Sequence, residues 1–480
     1  MRLSTKIAYN TIIQVVSKVI STALALMAVA IITRQLGQTG FGEYTTIVTF
    51  LSFFAIAADL GLTLITVQMI SKPDIDEDYV LGNLFGLRLV TALLFLAPAP
   101  LVAIFFPYSA VIKTGIIIAS FSFLFIALNQ VLVGIFQKNL RMDKVSIADI
   151  VSRIFLVIGI VIVYKLQYGL LSILLVTSLS SLVNFLFHFY FSRRFTIIKL
   201  RFDFHFWREI MIKSWPLALT ITLNLIYLKT DTLLLSIIDR PSDIGILAEV
   251  GLYGAAYKVI DVLITLPFMF AGIILPILTL SWSQGRKEEF NNVLQKSFNV
   301  MAIIAIPLIF GTQFVAKDIM VLVAGKEFAS SGRILQILII AASMIFLGNM
   351  LAHAVIAIEK QKNIITAYLF TAITSVIGYL FFIPQYSYLA AAWVTVYSES
   401  IVAIASAYIV WKYTRFLPNI KIFFQAGFAS ILMGLSMWGL QYFHINNLLV
   451  VITLAIIVYF FFLFLFNGLN RKEVFEMLKR

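Results

Sequence analysis

The chain has 480 residues, 61% of them hydrophobic and only 12% charged. A soluble domain is nearer 45–50% apolar and about 25% charged, and the bias here runs the whole length, which excludes a soluble domain with a single anchor. Cysteine is absent, so disulfides, thiolate catalysis and Cys-ligated metals are excluded, while the net charge of +13 raises nucleic acid as a partner only until its distribution is read.

A membrane span needs about 20 mostly apolar residues. Fourteen segments qualify: 7–32, 42–70, 82–106, 110–136, 145–164, 168–191, 210–238, 250–280, 294–315, 333–358, 363–383, 387–410, 420–442 and 447–466. Arg2 and Lys6 precede the first, but that run carries Lys18 and exceeds a signal-peptide core, so it reads as an uncleaved span. With the N-terminus in the cytoplasm, 24 Lys and Arg fall in cytoplasmic segments, 7 in outside loops and five inside spans. This positive-inside bias places both termini in the cytoplasm and explains the basic balance without nucleic acid.

The longest cytoplasmic connection, 192–209, reads SRRFTIIKLRFDFHFWRE, with apolar and charged residues nearly alternating. It reads as an interfacial linker, a plain positive-inside loop in preference to a phospholipid-head site. The chain then divides into an N-terminal lobe (1–192), the linker (193–209), a C-terminal lobe (210–411) and a last pair of spans with a cytoplasmic tail (412–480). The fold class expected is an all-α polytopic membrane protein.

Ten ionisable residues interrupt the spans: Lys18, Asp59, Arg88, Asp149, Arg153, Lys229, Asp231, Lys258, Asp261 and Glu399. A charge at the bilayer centre costs roughly 2.5–3.5 kcal/mol on insertion scales. Such groups line a wet interior or pair with one another. Asp149 with Arg153 (i, i+4) and Lys258 with Asp261 (i, i+3) are spaced for local pairs. Asp59 and Glu399 read as the deepest carboxylates without a local partner, either held in an interhelical pair with Lys18 or another cation or, with Asp231 and Asp261, candidates to couple to H⁺ or Na⁺.

The two halves share a pattern. Asn10, Gln14, Ser17 and Ser21 in the first span step +4, +3, +4, as do Thr220, Asn224, Tyr227 and Asp231 in the seventh. That step places four polar side chains on one helical face. Gly-x-Tyr follows each, at Gly42–Tyr44 and Gly251–Tyr253, and Tyr257 continues the second stripe. These residues are the expected polar lining of a cavity between parallel repeats. Pro98, Pro100, Pro216, Pro267, Pro276 and Pro307 fall in or beside spans and favour kinks. Enzyme signals are poor: the four histidines are scattered, no phosphate loop occurs, and Asp74-Ile75-Asp76 sits in a short acidic loop. Asn349 and His353 read as satisfied polar core.

The segment Thr33-Arg34-Gln35-Leu36-Gly37 through Gly40-Phe41-Gly42-Glu43-Tyr44, then Asp59-Leu60-Gly61-Leu62, resembles the N-terminal signature of bacterial polysaccharide-biosynthesis (O-antigen type) flippases. Val250 to Lys258 leading to Leu275-Pro276, and Phe202-Asp203 followed by Trp215-Pro216, are similar to the same family. It is part of the multidrug/oligosaccharidyl-lipid/polysaccharide exporter superfamily. The resemblance implies two six-helix lobes in a V with two extra C-terminal helices, in the bacterial inner membrane. It implies a non-enzymatic transporter that moves an undecaprenyl-diphosphate-linked oligosaccharide to the outer leaflet by ion-coupled alternating access, with no cofactor beyond the coupling H⁺ or Na⁺. Membrane lipids, a polysaccharide polymerase and chain-length machinery would be its partners. The role of cavity cations carries over to Lys18, Arg88, Arg153, Lys229 and Lys258. The alternatives weighed are a multidrug or small-cation exporter of the same superfamily, a membrane-embedded polymerase or ligase, and a non-transporting scaffold.

Overall fold

The computed structural model describes residues 3–70, 76–196, 198–445 and 447–468, apart from the side chains of 3–9, 11, 12, 64, 65, 67, 68, 213, 216, 217 and 220. Among the described residues all regular structure is helical, and each of the fourteen apolar segments lies on helix. Among the described residues, eleven stretches have the length and apolar composition to cross a membrane. Two of them are far longer than one crossing. The first helix, α1 (Leu3–Asp59), has 57 residues, or about 85 Å at 1.5 Å per residue, against roughly 30 Å of hydrocarbon. It is broken at Gly37, whose φ of 62° and ψ of −171° suit glycine alone.

The chain forms two compact units, Met1–Gly254 and Ala255–Arg480. In the first, α1 is followed by α2 (Leu62–Ile70), α3 (Glu77–Leu96), α4 (Ala99–Ile104), α5 (Ala110–Lys138), α6 (Met142–Lys165), α7 (Leu170–Ser192), α8 (Phe204–Ile237) and the start of α9 (Ile246–Leu263). In lipid the hydrophobic effect does not drive helices together, so close packing and hydrogen bonds must. Ile47, Phe50 and Leu51 of α1 pack on Ala99, Ala103, Ile116 and Leu174 at one end. Leu81, Leu84, Leu132, Ile135, Trp207 and Ile210 form a second core at the other end.

The linker belongs to that second core. A Cβ on Gly82 would lie 2.1 Å from the Lys199 carbonyl oxygen, and one on Gly86 2.3 Å from that of Arg201. Only glycine allows the linker backbone to lie this close against α3. Arg201 N–H donates to the Gly82 carbonyl (3.2 Å), Asp203 N–H to Asn83 Oδ1 (2.9 Å), and the Trp207 indole to the Asn83 carbonyl (3.1 Å). The Tyr79 hydroxyl donates to Asp203, and Thr196 to Asp78.

The second unit holds the end of α9, then α10 (Thr265–Ser283), α11 (Lys287–Ala324), α12 (Ser331–Ala357), α13 (Gln361–Thr414), α14 (Lys421–Tyr442) and α15 (Leu448–Leu465). The 54 residues of α13 are broken at Ser387 (φ 49°, ψ −134°). The last two helices pack on α11 through Ala426, Ala429, Met433, Ala455 and Leu463. Tyr459 donates to the Ile303 carbonyl (2.7 Å).

The expected proline kinks are only partly realised. Pro98 caps α4, separating it from α3, and Pro267 lies in the first turn of α10, where a missing N–H is harmless. Pro276 and Pro307 sit inside continuous helices. The break within the eighth apolar segment falls at Ile264, between α9 and α10. The side chain of Pro216, like Asp74, lies outside the described residues.

Candidate functional site

The most developed polar cluster of the first unit is on α8 and α9. Asp231 is fully buried. Its Oδ2 accepts from the Tyr253 hydroxyl (2.6 Å), and its Oδ1 from the Thr232 backbone N–H and hydroxyl. Lys229 is half-buried within electrostatic reach of that carboxylate. One turn back along α8, Asn224 Nδ2 donates to the Tyr227 hydroxyl (2.6 Å). Tyr257, on the part of α9 that belongs to the second unit, is buried. Thr220 lies outside the described side chains.

Glycine sets how closely α9 meets α1. A Cβ on Gly42 would be 1.7 Å from the Leu247 carbonyl oxygen, and one on Gly251 2.0 Å from that of Gln38. Gly254 faces the Thr45 side chain at 2.6 Å in the same sense. The two Gly-x-Tyr motifs found by offset in the sequence therefore face each other across one helix contact.

The α1 stripe is less uniform than the sequence suggests. Gln14 and Lys18 are exposed, and Lys18 has no ion-pair partner among the described residues. Ser17 and Asn10 are buried, and Asn10 Oδ1 accepts from the Met142 N–H at the start of α6 (3.0 Å). Ser21 Oγ is buried without a hydrogen-bond partner among the described residues.

The remaining charges separate sharply. For Asp59 the interhelical pair is the outcome, in place of a free coupling carboxylate: its Oδ1 lies 2.6 Å from Arg88 Nη1. Arg88 Nε donates to the Ala127 carbonyl (3.0 Å), and Nη1 to that of Asp59 (3.2 Å). This guanidinium is occupied by α1 and α5. The local Asp149–Arg153 pair is corrected as well. Asp149 Oδ1 accepts from Asn184 Nδ2 (3.0 Å) on α7, and Asn129 Nδ2 donates to Asn184 Oδ1 (2.6 Å). Arg153 is exposed, within electrostatic reach of Tyr44. Lys258 and Asp261 are 4.0 Å apart and half-exposed.

In the second unit Glu399 is buried and its Oε1 has no hydrogen-bond partner among the described residues. The Tyr379 and Thr395 hydroxyls, 3.4 Å apart, set the register of the two halves of α13. One turn further from Ser387 on each half come Ser375 and Glu399. The Ser375 and Thr371 hydroxyls are also buried, with no hydrogen-bond partner among the described residues. His353 Nδ1 bonds its own helix backbone at the Asn349 carbonyl (2.8 Å), while Asn349 Nδ2 has no partner among the described residues, so that pair is only half satisfied there.

Sequence reasoning missed two clusters. Arg240 Nη2 and Nε reach Glu249 Oε2 (2.6 and 2.9 Å), and Nη1 donates to the Leu235 and Ile238 carbonyls, closing the α8–α9 turn. The spacing of nine residues through a turn has no helical signature. The Asn129–Asn184 network was invisible because both are neutral.

Residues 7–282 match the family described as polysaccharide biosynthesis protein. The chain belongs to that family. A curated relative, the capsular polysaccharide biosynthesis protein CapF of Staphylococcus aureus, is 25% identical over 307 residues, 62% of this chain and 74% of CapF. Among solved structures, the lipid II flippase MurJ in an inward closed conformation aligns with a TM-score of 0.72 at 16% identity, over 95% of this chain and 98% of MurJ. An inward-facing multidrug resistance MATE transporter aligns at 0.64 and 15% identity, over 85% and 98%. The fold of this family member is thus the one these transporters share, and it is a multi-pass membrane protein. The family is the one the sequence resemblance named.

Proposed function

We propose that the protein carries an undecaprenyl-diphosphate-linked sugar repeat unit from the cytoplasmic to the outer leaflet of the bacterial inner membrane by ion-coupled alternating access, with both termini cytoplasmic. Family membership and the likeness to CapF support a surface-polysaccharide substrate, and CapF favours a capsular over an O-antigen repeat unit. The observation that carries the mechanism is Lys18, exposed on an apolar helix with no carboxylate against it among the described residues. A diphosphate is the part of the substrate water holds most strongly. Lys18, with Arg153 and Lys229 of the same unit, replaces that hydration with fixed charge and donors. The sugar meets polar groups such as Gln14 and Asn224, and the lipid tail stays in the bilayer. Arg88, held by Asp59, has a supporting place only.

Coupling falls to Glu399. A buried carboxyl whose Oε1 has no hydrogen-bond partner among the described residues is suited to take up H⁺ or Na⁺. Asp231 and Asp261 are the further carboxylates of this reading. A polymerase and chain-length machinery would use the product.

Lipid-linked sugars, resolved by leaflet in a deletion strain complemented with Lys18→Ala/Lys229→Ala, test the proposal. Repeat units accumulating on the cytoplasmic face support it. Full complementation removes both lysines from the mechanism. Unchanged lipid-linked sugars with new drug sensitivity in the deletion strain itself indicate a multidrug exporter, and exposed but unpolymerised units a polymerase.

A further inference from the structure

We propose that the linker and the first turns of α8 form a binding surface for the headgroups of anionic phospholipids. Two kinds of exposed side chain alternate there. Arg193, Arg194, Lys199, Arg201 and Arg208 are exposed bases. Leu200, Phe202, Phe204, Ile212 and Trp215 are exposed large apolar groups, Phe204 at 75% and Trp215 at 60%. Apolar side chains that enter the acyl boundary, beside bases at the phosphate level, are what an interfacial element needs.

The nearby acids do not cancel this charge. Asp78 accepts from Thr196 and Asp203 from Tyr79 and two backbone N–H groups, while Glu209 lies 3.6 Å from His205. Five exposed bases thus stand against two exposed carboxylates, Asp78 and Glu209, which leaves the surface basic.

The surface is built rather than incidental. Ile198, Phe206, Trp207 and Ile210 turn inward to the α3–α5 core, and the backbone lies against Gly82 and Gly86. That docking holds the opposite face outward. Arg193 rests on the Phe189 ring at the end of α7 (4.9 Å), and Leu186 and Tyr190 of the same helix are exposed. The basic face therefore continues directly from a helix face of exposed apolar and aromatic side chains. Phosphatidylglycerol supplies the single negative charge and acyl chains this surface would take.

Native mass spectrometry of the full chain, with phosphatidylglycerol and phosphatidylcholine in competition, tests this. The parent should retain phosphatidylglycerol in preference. Arg193→Gln/Arg194→Gln/Lys199→Gln/Arg208→Gln should lower that preference about tenfold or more. Lys412→Gln/Arg415→Gln, at a basic site in the second unit, should keep it. An unchanged preference in the fourfold variant, or an equal loss in the control, overturns the proposal. A measurement on a nearly native chain guards against misfolding. The protein has no cysteine, so Leu200→Cys takes a polarity-sensitive dye at one position. Its emission should be bluer in vesicles containing phosphatidylglycerol than in phosphatidylcholine alone, and the difference should shrink as salt rises. Identical emission in the two vesicles also overturns it.

Discussion

The Asp59 carboxylate and the Arg88 guanidinium lie 2.6 Å apart where the end of α1 meets α3, with Arg88 only 2% exposed. A buried pair contributes little net stability over apolar groups of the same shape, but breaking it on one side strands a charge. Arg88→Met is therefore expected to lower unfolding stability in detergent by about 3–5 kcal/mol. Arg88→Met/Asp59→Leu should lose much less. Equal losses in the two variants would show that charge pairing is not what Arg88 provides.

Gly42 predicts a steric effect of a different kind. A methyl group there meets the Leu247 carbonyl oxygen, a backbone atom that cannot rotate away. Gly42→Ala should separate α1 from α9, lower the melting temperature and reduce transport, by about 1–3 kcal/mol or more in stability. Gly427→Ala in α14, where nothing lies within 4 Å, should leave melting unchanged or raise it.

The linker should loosen in acid. Donation from the Tyr79 hydroxyl first, then from the Phe206 backbone N–H, holds the Asp203 carboxyl below the usual carboxylate range. A lowered pKa contributes stability that is fully present above the unfolded value, about 3.9. It is lost as the pH falls through the folded value. Proteolysis of the linker should therefore rise below about pH 4, and Asp203→Asn should be cut at neutral pH with a flatter pH profile.

Glu399→Gln separates folding from coupling. The amide replaces a group that is buried with one oxygen unpartnered, and a neutral side chain is easier to bury than a charged one. Stability should hold or rise, while transport in proteoliposomes should no longer respond to an imposed ion gradient. A variant that still follows the gradient removes Glu399 from coupling.

A reader of the sequence could locate every long helix, because a run of some 20 apolar residues has few other fates. The Gly-x-Tyr pair at Gly42 and Gly251 was also legible, since both positions obey one offset. Charge pairing was not. Asp149 and Arg153 have ideal local spacing, yet Asp149 turns to Asn184, because a side chain one helix away competes with one four residues along.

Composition and periodicity by themselves determined that this chain is helical, membrane-spanning and charged inside, and the motif residues named its family. Which charges hold each other was decided by tertiary packing alone. Helix rotation and depth set those distances, and neither is encoded in any short window of residues. Arg88 and Lys18 look alike along the chain. The fold gives the first a carboxylate and leaves the second exposed.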